Sequence, residues 1–275
     1  MRVCDDFARG AGSCWQQQLE GCGQLKAVEP GLQFCLPEAR SQAYSNAQID
    51  DYQGLSRRSF AWRPPLTLRV RARFSHPVSD LVGIAGFGFW NDPFLMTGLR
   101  VPALPRAAWF FFSSPPSNMK LDVKVPGHGW KAATVDALSP AALALVPLAL
   151  PAVLLMNIRT LYRSIWLPIQ RRLKIKEAVI PVEMTRWHTY SLEWGRHQTR
   201  FFVDSDLAGT PVPVLQAPSP RGPLGFVMWM DNRYLVATPW GRLRWGVLDA
   251  PGTQWMEVSS LAIDGDGRQP GSLSE

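Results

Sequence analysis

The run Trp187-His188-Thr189-Tyr190-Ser191-Leu192-Glu193-Trp194, followed by Thr199-Arg200-Phe201-Phe202-Val203-Asp204-Ser205-Asp206, constrains this chain more than any other feature. Both runs are rich in aromatic and β-branched residues, alternate with period two, and flank Gly195-Arg196-His197-Gln198. A polar turn carrying Gly between two alternating runs is a β-hairpin signal. Alternation recurs over 66–74, where apolar residues interleave with Arg69, Arg71 and Arg73. That pattern predicts a strand with one buried and one arginine-lined face. Further strands are expected over 81–90, 107–113, 119–125, 224–230 and 254–263. The chain has 275 residues, 46% of them hydrophobic, so one large all-β domain can bury a full core. We place this domain at 44–264, after an irregular extension over 1–43 and before a polar tail over 265–275.

Composition narrows the function classes. A net charge of +7 raises nucleic acid or an anionic membrane as partners. The basic residues are scattered among strands and no nucleic-acid motif is present, so no nucleic acid is expected. Cys4, Cys14, Cys22 and Cys35 contain no C-x-x-C pair, which disfavours zinc and thiol redox chemistry. No apolar signal segment is visible in 1–18, where Asp5, Asp6 and three glutamines interrupt the chain. The sequence therefore predicts a cytoplasmic protein with reduced cysteines, with peripheral attachment to the inner face of a membrane as an option.

Between 140 and 176 the pattern changes from period two to a helical period. Residues 141–156 are apolar throughout, interrupted only by Pro147 and Pro151 among helix breakers. Leu154, Ile158, Leu161, Ile165, Ile169 and Leu173 then follow at spacings of three and four, with Arg159, Arg163, Arg171 and Arg172 between them. No acid occurs between Asp136 and Glu177. This is an inserted helical hairpin with an amphipathic second half. A single membrane crossing would divide one sandwich across a bilayer, so a span is excluded. Two roles remain. Either the hairpin projects and meets an anionic membrane surface, with Leu154, Ile158, Leu161, Ile165, Trp166 and Ile169 in the interface and the four arginines on headgroups, or it caps the sandwich.

The hairpin also resembles a known family. His188-x-Tyr190-x-x-x-Trp194, a turn, and Phe201-x-Val203-Asp204 are similar to the late core hairpin of family 16 glycoside hydrolases, within the concanavalin A-like lectin/glucanase superfamily. Gly86-Phe87-Gly88-Phe89-Trp90-Asn91-Asp92 resembles the strand beside that family's catalytic strand, and 255–263 resembles its last strand. The resemblance implies a concanavalin-like, jelly-roll antiparallel β-sandwich, here interrupted by the helical insertion. It also implies two carboxylates on one strand, as nucleophile and acid/base. The strand that should carry them, Arg106-Ala107-Ala108-Trp109-Phe110-Phe111-Phe112-Ser113-Ser114, has none, and no acid lies between Asp92 and Asp122.

The leading expectation is thus a non-hydrolytic binder of a saccharide or glycolipid. Trp90, Trp109, Trp229 and Trp240 would stack on sugar rings, and Asn91, Asp231 and Asn232 would bond hydroxyls. One alternative is an active glycoside hydrolase using displaced carboxylates, of which Asp92 and Asp231 are the best placed in sequence. A second is a lipid or isoprenoid binder with an apolar cleft. His188 and Glu193 are separated by an odd number and should face opposite ways. No cofactor is expected. Asp264-Gly265-Asp266-Gly267 is a weak candidate for a structural calcium loop, and a flexible tail explains it better.

Overall fold

The computed structural model describes residues 2–93, 101–204 and 210–265. Strands β1 to β5 span Arg2–Asp5, Gln16–Glu20, Gln24–Val28, Gly31–Pro37 and Asn46–Asp50. Strands β6 to β9 span Leu66–Phe74, Ile84–Trp90, Arg106–Ser113 and Gly129–Asp136. Helices α1, α2 and α3 follow at Pro140–Leu143, Ala149–Met156 and Arg159–Arg172. The remaining strands are β10 (Lys176–Val179), β11 (His188–Trp194), β12 (Gln198–Asp204), β13 (Pro211–Pro218), β14 (Gly225–Asp231), β15 (Arg233–Ala237), β16 (Leu243–Val247) and β17 (Thr253–Gly265).

Two antiparallel sheets form the sandwich. The first has the order β13-β12-β11-β6-β17-β4-β3, with β1 also pairing β17; the second has the order β10-β9-β8-β7-β14-β5-β2. This is the concanavalin-like jelly roll with an inserted helical segment. In the first sheet, alternation decides the faces. Leu66, Leu68, Val70, Ala72 and Phe74 are buried against the second sheet, while Arg69 and Arg71 are exposed. The 187–206 hairpin forms as β11 and β12, with Tyr190 opposite Val203 and Leu192 opposite Phe201. His188 faces the core and Glu193 faces outward, where it pairs with Arg200 at 2.6 Å.

The second sheet is buried on both faces, so its strands read as near-continuous apolar runs. One face carries Phe87, Phe89, Phe110, Phe226 and Met228 into the inter-sheet core. The other face lies under the insertion.

Three sequence expectations differ from the structure. Residues 2–43 are not irregular: β1, β3 and β4 join the first sheet and β2 edges the second. β2 is a Gln-rich edge strand, so it lacks the apolar alternation that signals a half-buried strand. The 119–125 segment is not a strand. Its backbone makes local bonds, such as Leu121 N–H to the Met119 carbonyl at 2.9 Å, and its apolar side chains pack under the insertion. The insertion itself does not simply project. Met156 and Trp166 are buried, and Ile165 and Ile169 pack with them against the second sheet, whereas Leu154, Ile158 and Leu161 are exposed. Among the described residues no helix is long and apolar enough to cross a membrane.

Candidate functional site

The outer face of the second sheet is where the expected catalytic strand lies, and cross-strand pairing defines its side chains row by row. One row runs through Lys131, Phe111, Gly86, Trp229, Gln48 and Gln18. The adjacent row runs through Glu177, Ala133, Trp109, Gly88, Val227 and Asp50. β8 therefore offers Ala107, Trp109 and Phe111 to this face and no carboxylate.

Three tryptophans meet at its centre. Trp90 stacks on Trp229 with centroids 5.9 Å apart and an interplanar angle of 11°, and Trp109 lies 5.7 Å from each. Gly88 makes this possible. A Cβ there would lie 2.6 Å from the Ala108 carbonyl oxygen and 2.7 Å from Trp109 Cβ, and its φ of +147° suits glycine. The Trp90 indole N–H donates to the Tyr52 hydroxyl at 2.6 Å, which fixes its ring.

To one side of the rings lies a polar corner that sequence reasoning missed. Asn46, Gln48 and Asp50 on β5 are fully buried. Gln48 and Gln53 donate to Asp50 Oδ2 at 2.9 and 2.8 Å, and the Tyr52 and Gln53 N–H groups donate to Oδ1. Burial still pushes the Asp50 carboxyl up. The Asn46 Oδ1, Gln48 Oε1 and Tyr44 hydroxyl are buried without a hydrogen-bond partner. The signal was present as Asn46-x-Gln48-x-Asp50, a polar period-two row interleaved with Ala47 and Ile49.

On the other side lies a buried ion pair. Lys131 Nζ is 3.2 Å from Glu177 Oε1 and 4.9 Å from the Phe111 ring centroid, and the Asp122 N–H donates to Glu177 Oε2. Burial raises the Glu177 carboxyl and lowers the Lys131 ammonium. Helix α3 closes over this end, with the Trp166 indole N–H donating to the Leu121 carbonyl at 2.6 Å. The Tyr162 ring meets Trp240 edge-on at 5.2 Å.

The structure separates the other predicted residues. Asn91 spans the β7–β8 connection, accepting from the Arg106 N–H at 2.8 Å and donating to the Leu104 carbonyl at 3.0 Å. Asn232 Nδ2 donates to the carbonyls of Arg40, Ala43 and Leu248, each at 3.1 Å. Asp231 accepts from the Arg233 N–H at 2.8 Å, and burial pushes its carboxyl up to about 7. Asp92 is buried, with its carbonyl accepting from Arg57 at 2.7 Å.

Asp92 and Asp231 are not a catalytic pair. Trp90 pairs with Gly225 and Ile84 with Asp231, so six residues of strand separate the two ends. At about 3.4 Å per residue that is roughly 20 Å, against an upper limit of about 10 Å for glycosidase carboxylates. Glu177 and Asp50 are five strand spacings apart, or roughly 24 Å. Asp122 and Glu177 do come together, through the Asp122 N–H, but both are buried and Glu177 is held in its ion pair with Lys131. Among the described residues no group of three His, Cys, Asp or Glu could hold a metal ion; the weak calcium-loop candidate at Asp264-Gly265-Asp266-Gly267 falls partly outside them.

No protein-family signature matches the sequence, and no curated protein matches it. Solved structures do resemble the fold. The VIP36 exoplasmic/lumenal domain in its Ca2+/Man-bound form matches with a TM-score of 0.51 and 9% identity, over 96% of this chain and 88% of that one. The Bacteroides ovatus mixed-linkage glucan PUL family 16 enzyme, in complex with a G4G4G3G product, matches with a TM-score of 0.50 and 11% identity, over 95% and 99%. The GlcNAcα1-4Gal-releasing endo-β-galactosidase of Clostridium perfringens also gives 0.50 and 11%, over 95% of this chain and 61% of that one. These likenesses show that the fold is that of the concanavalin-like lectins and glucanases.

Proposed function

We propose that this protein is a non-hydrolytic, concanavalin-like sandwich that binds a saccharide or a glycolipid headgroup on the tryptophan face of its second sheet. The observation that carries the reading is the aromatic row in which half-buried Trp109 adjoins Trp229, with Gln48 as the cross-strand neighbour of Trp229. Saccharide sites combine a ring for the apolar sugar face with fixed polar groups for hydroxyls, and this face holds both. Trp109 and Trp240 are half-buried, so both keep some accessible surface. The resemblance to family 16 folds supports a sugar as ligand, and β8 without acids supports binding without hydrolysis.

A glycolipid would bring this face to a bilayer, which agrees with membrane-peripheral attachment. An apolar chain is a second reading, favoured by the cap's underside: Met156, Ile165 and Ile169 lie in one cluster with the tryptophans.

Glycan-array and affinity-gel measurements test the proposal. The wild type is expected to bind a saccharide and to release no reducing sugar from it. Trp229→Ala and Gln48→Ala should each weaken binding about tenfold or more, by losing a stacked ring or a buried acceptor. Binding indifferent to both substitutions, or turnover of the bound glycan, would overturn it.

A further inference from the structure

We infer that the insertion and the β15–β16 hairpin together form one docking surface for an anionic lipid bilayer. Leu150 and Leu154 on α2 are 70% and 63% exposed, and Leu243 and Trp245 on β16 are 63% and 68% exposed. The other side of the insertion is buried on the second sheet, so these residues are what the cap leaves facing out.

The two elements adjoin. Asn157 Nδ2, at the end of α2, donates to the Trp240 carbonyl at 3.2 Å, and Tyr162 of α3 packs on the Trp240 ring. Gly241, in the same turn, sits so near α2 that an added Cβ would lie 2.7 Å from Val153 Cγ1.

Charge selects the occupant. Arg163, Arg171, Arg172, Arg242 and Arg244 are exposed and none pairs with a carboxylate among the described residues. The sequence contains no Asp or Glu between Asp136 and Glu177, nor between Asp231 and Asp249. Exposed aliphatic residues and a tryptophan, on the same elements as unpaired arginines, match a bilayer, whose apolar layer lies just beneath anionic headgroups. Among the described residues no helix is long and apolar enough to cross, and the attachment proposed is interfacial. It needs no sugar, so it stands apart from the saccharide reading.

Flotation of the full chain with phosphatidylcholine vesicles, with and without phosphatidylserine and free of glycolipid, tests this. Phosphatidylserine vesicles should recruit the protein, phosphatidylcholine alone should not, and roughly 0.5 M salt should release it. L150E/L154E, at exposed positions, should keep the folded circular-dichroism spectrum and lose recruitment about tenfold or more. Each of R242Q and R244Q should weaken it about fivefold. Three outcomes would overturn the inference: no recruitment by phosphatidylserine vesicles, undiminished recruitment of L150E/L154E, or a wild-type dimer that this double substitution turns into a monomer while vesicles bind neither form.

Discussion

Asp231 shows how one side chain's environment sets a property of the folded state. Its carboxyl is buried beside Trp229, and burial holds it at about 7 against an ordinary value of 3.8. Asp51 is held at about 7 for the same reason, although the Trp62 indole and the Phe226 N–H both donate to it. A carboxyl raised in the folded state binds its proton more tightly there than when unfolded. Its contribution is fully present below about pH 4 and is lost as pH rises through about 7. Stability should therefore fall between about pH 4 and pH 7 and level off above that, by the order of a few kcal/mol for each such group. Asp231→Asn keeps the acceptor for the Arg233 N–H and removes the titration. Thermal melts across this range should show a shallower decline for Asp231→Asn than for the wild type; equal slopes would refute the assignment. The sequence flags Asp231 by its place after Trp229. Its burial is set by the fold, as are the carbonyls of Arg40, Ala43 and Leu248 that hold the neighbouring Asn232.

At the level of elements, the cap rests on Trp166. The indole is buried in the cluster under the insertion and its N–H satisfies the Leu121 carbonyl, which joins α3 to the irregular 119–125 segment. Trp166→Ala should cost about 3–5 kcal/mol, through lost packing and the cavity left behind. Trp166→Phe should keep most of the packing and cost about 1 kcal/mol for the missing bond. Denaturant unfolding measures both, and equal costs for the two would show that packing is not the larger contribution. Helical spacing placed Trp166 beside Ile165 and Ile169, and the structure keeps those three on the covered side. Spacing cannot say whether the cover is lipid or protein, because both are apolar. The answer came from the sheet beneath, whose outer face carries Trp90, Trp109, Phe111 and Trp229 where the insertion packs.

For the whole molecule, the consequence is a sandwich whose second sheet has one face on the core and part of the other under the insertion. Replacing 140–173 by a short polar linker would expose Trp90, Trp109, Trp229 and Phe111 together. A contiguous aromatic patch of that kind promotes association. The shortened chain should melt at a lower temperature, bind a hydrophobic dye and aggregate at concentrations where the intact chain does not. If it instead remains as stable and as monodisperse as the intact chain, the insertion contributes nothing to the fold.

What the sequence alone determined is local and periodic. Alternation over 66–74 and 187–204 assigned strands, faces and the antiparallel hairpin, because a period of two admits one arrangement when one face is buried. The missing acids of 106–113 were also legible, since the absence of a residue type needs no coordinates. The tertiary structure decided everything that depends on which strands become neighbours. It set β5 beside β14, so that Gln48 meets Trp229, and it put Asp92 and Asp231 at opposite ends of one ladder. It also laid the insertion across the sheet, dividing one apolar helical pattern into a buried side and an exposed one. Periodicity reports that a face is apolar; only long-range pairing reports what that face touches.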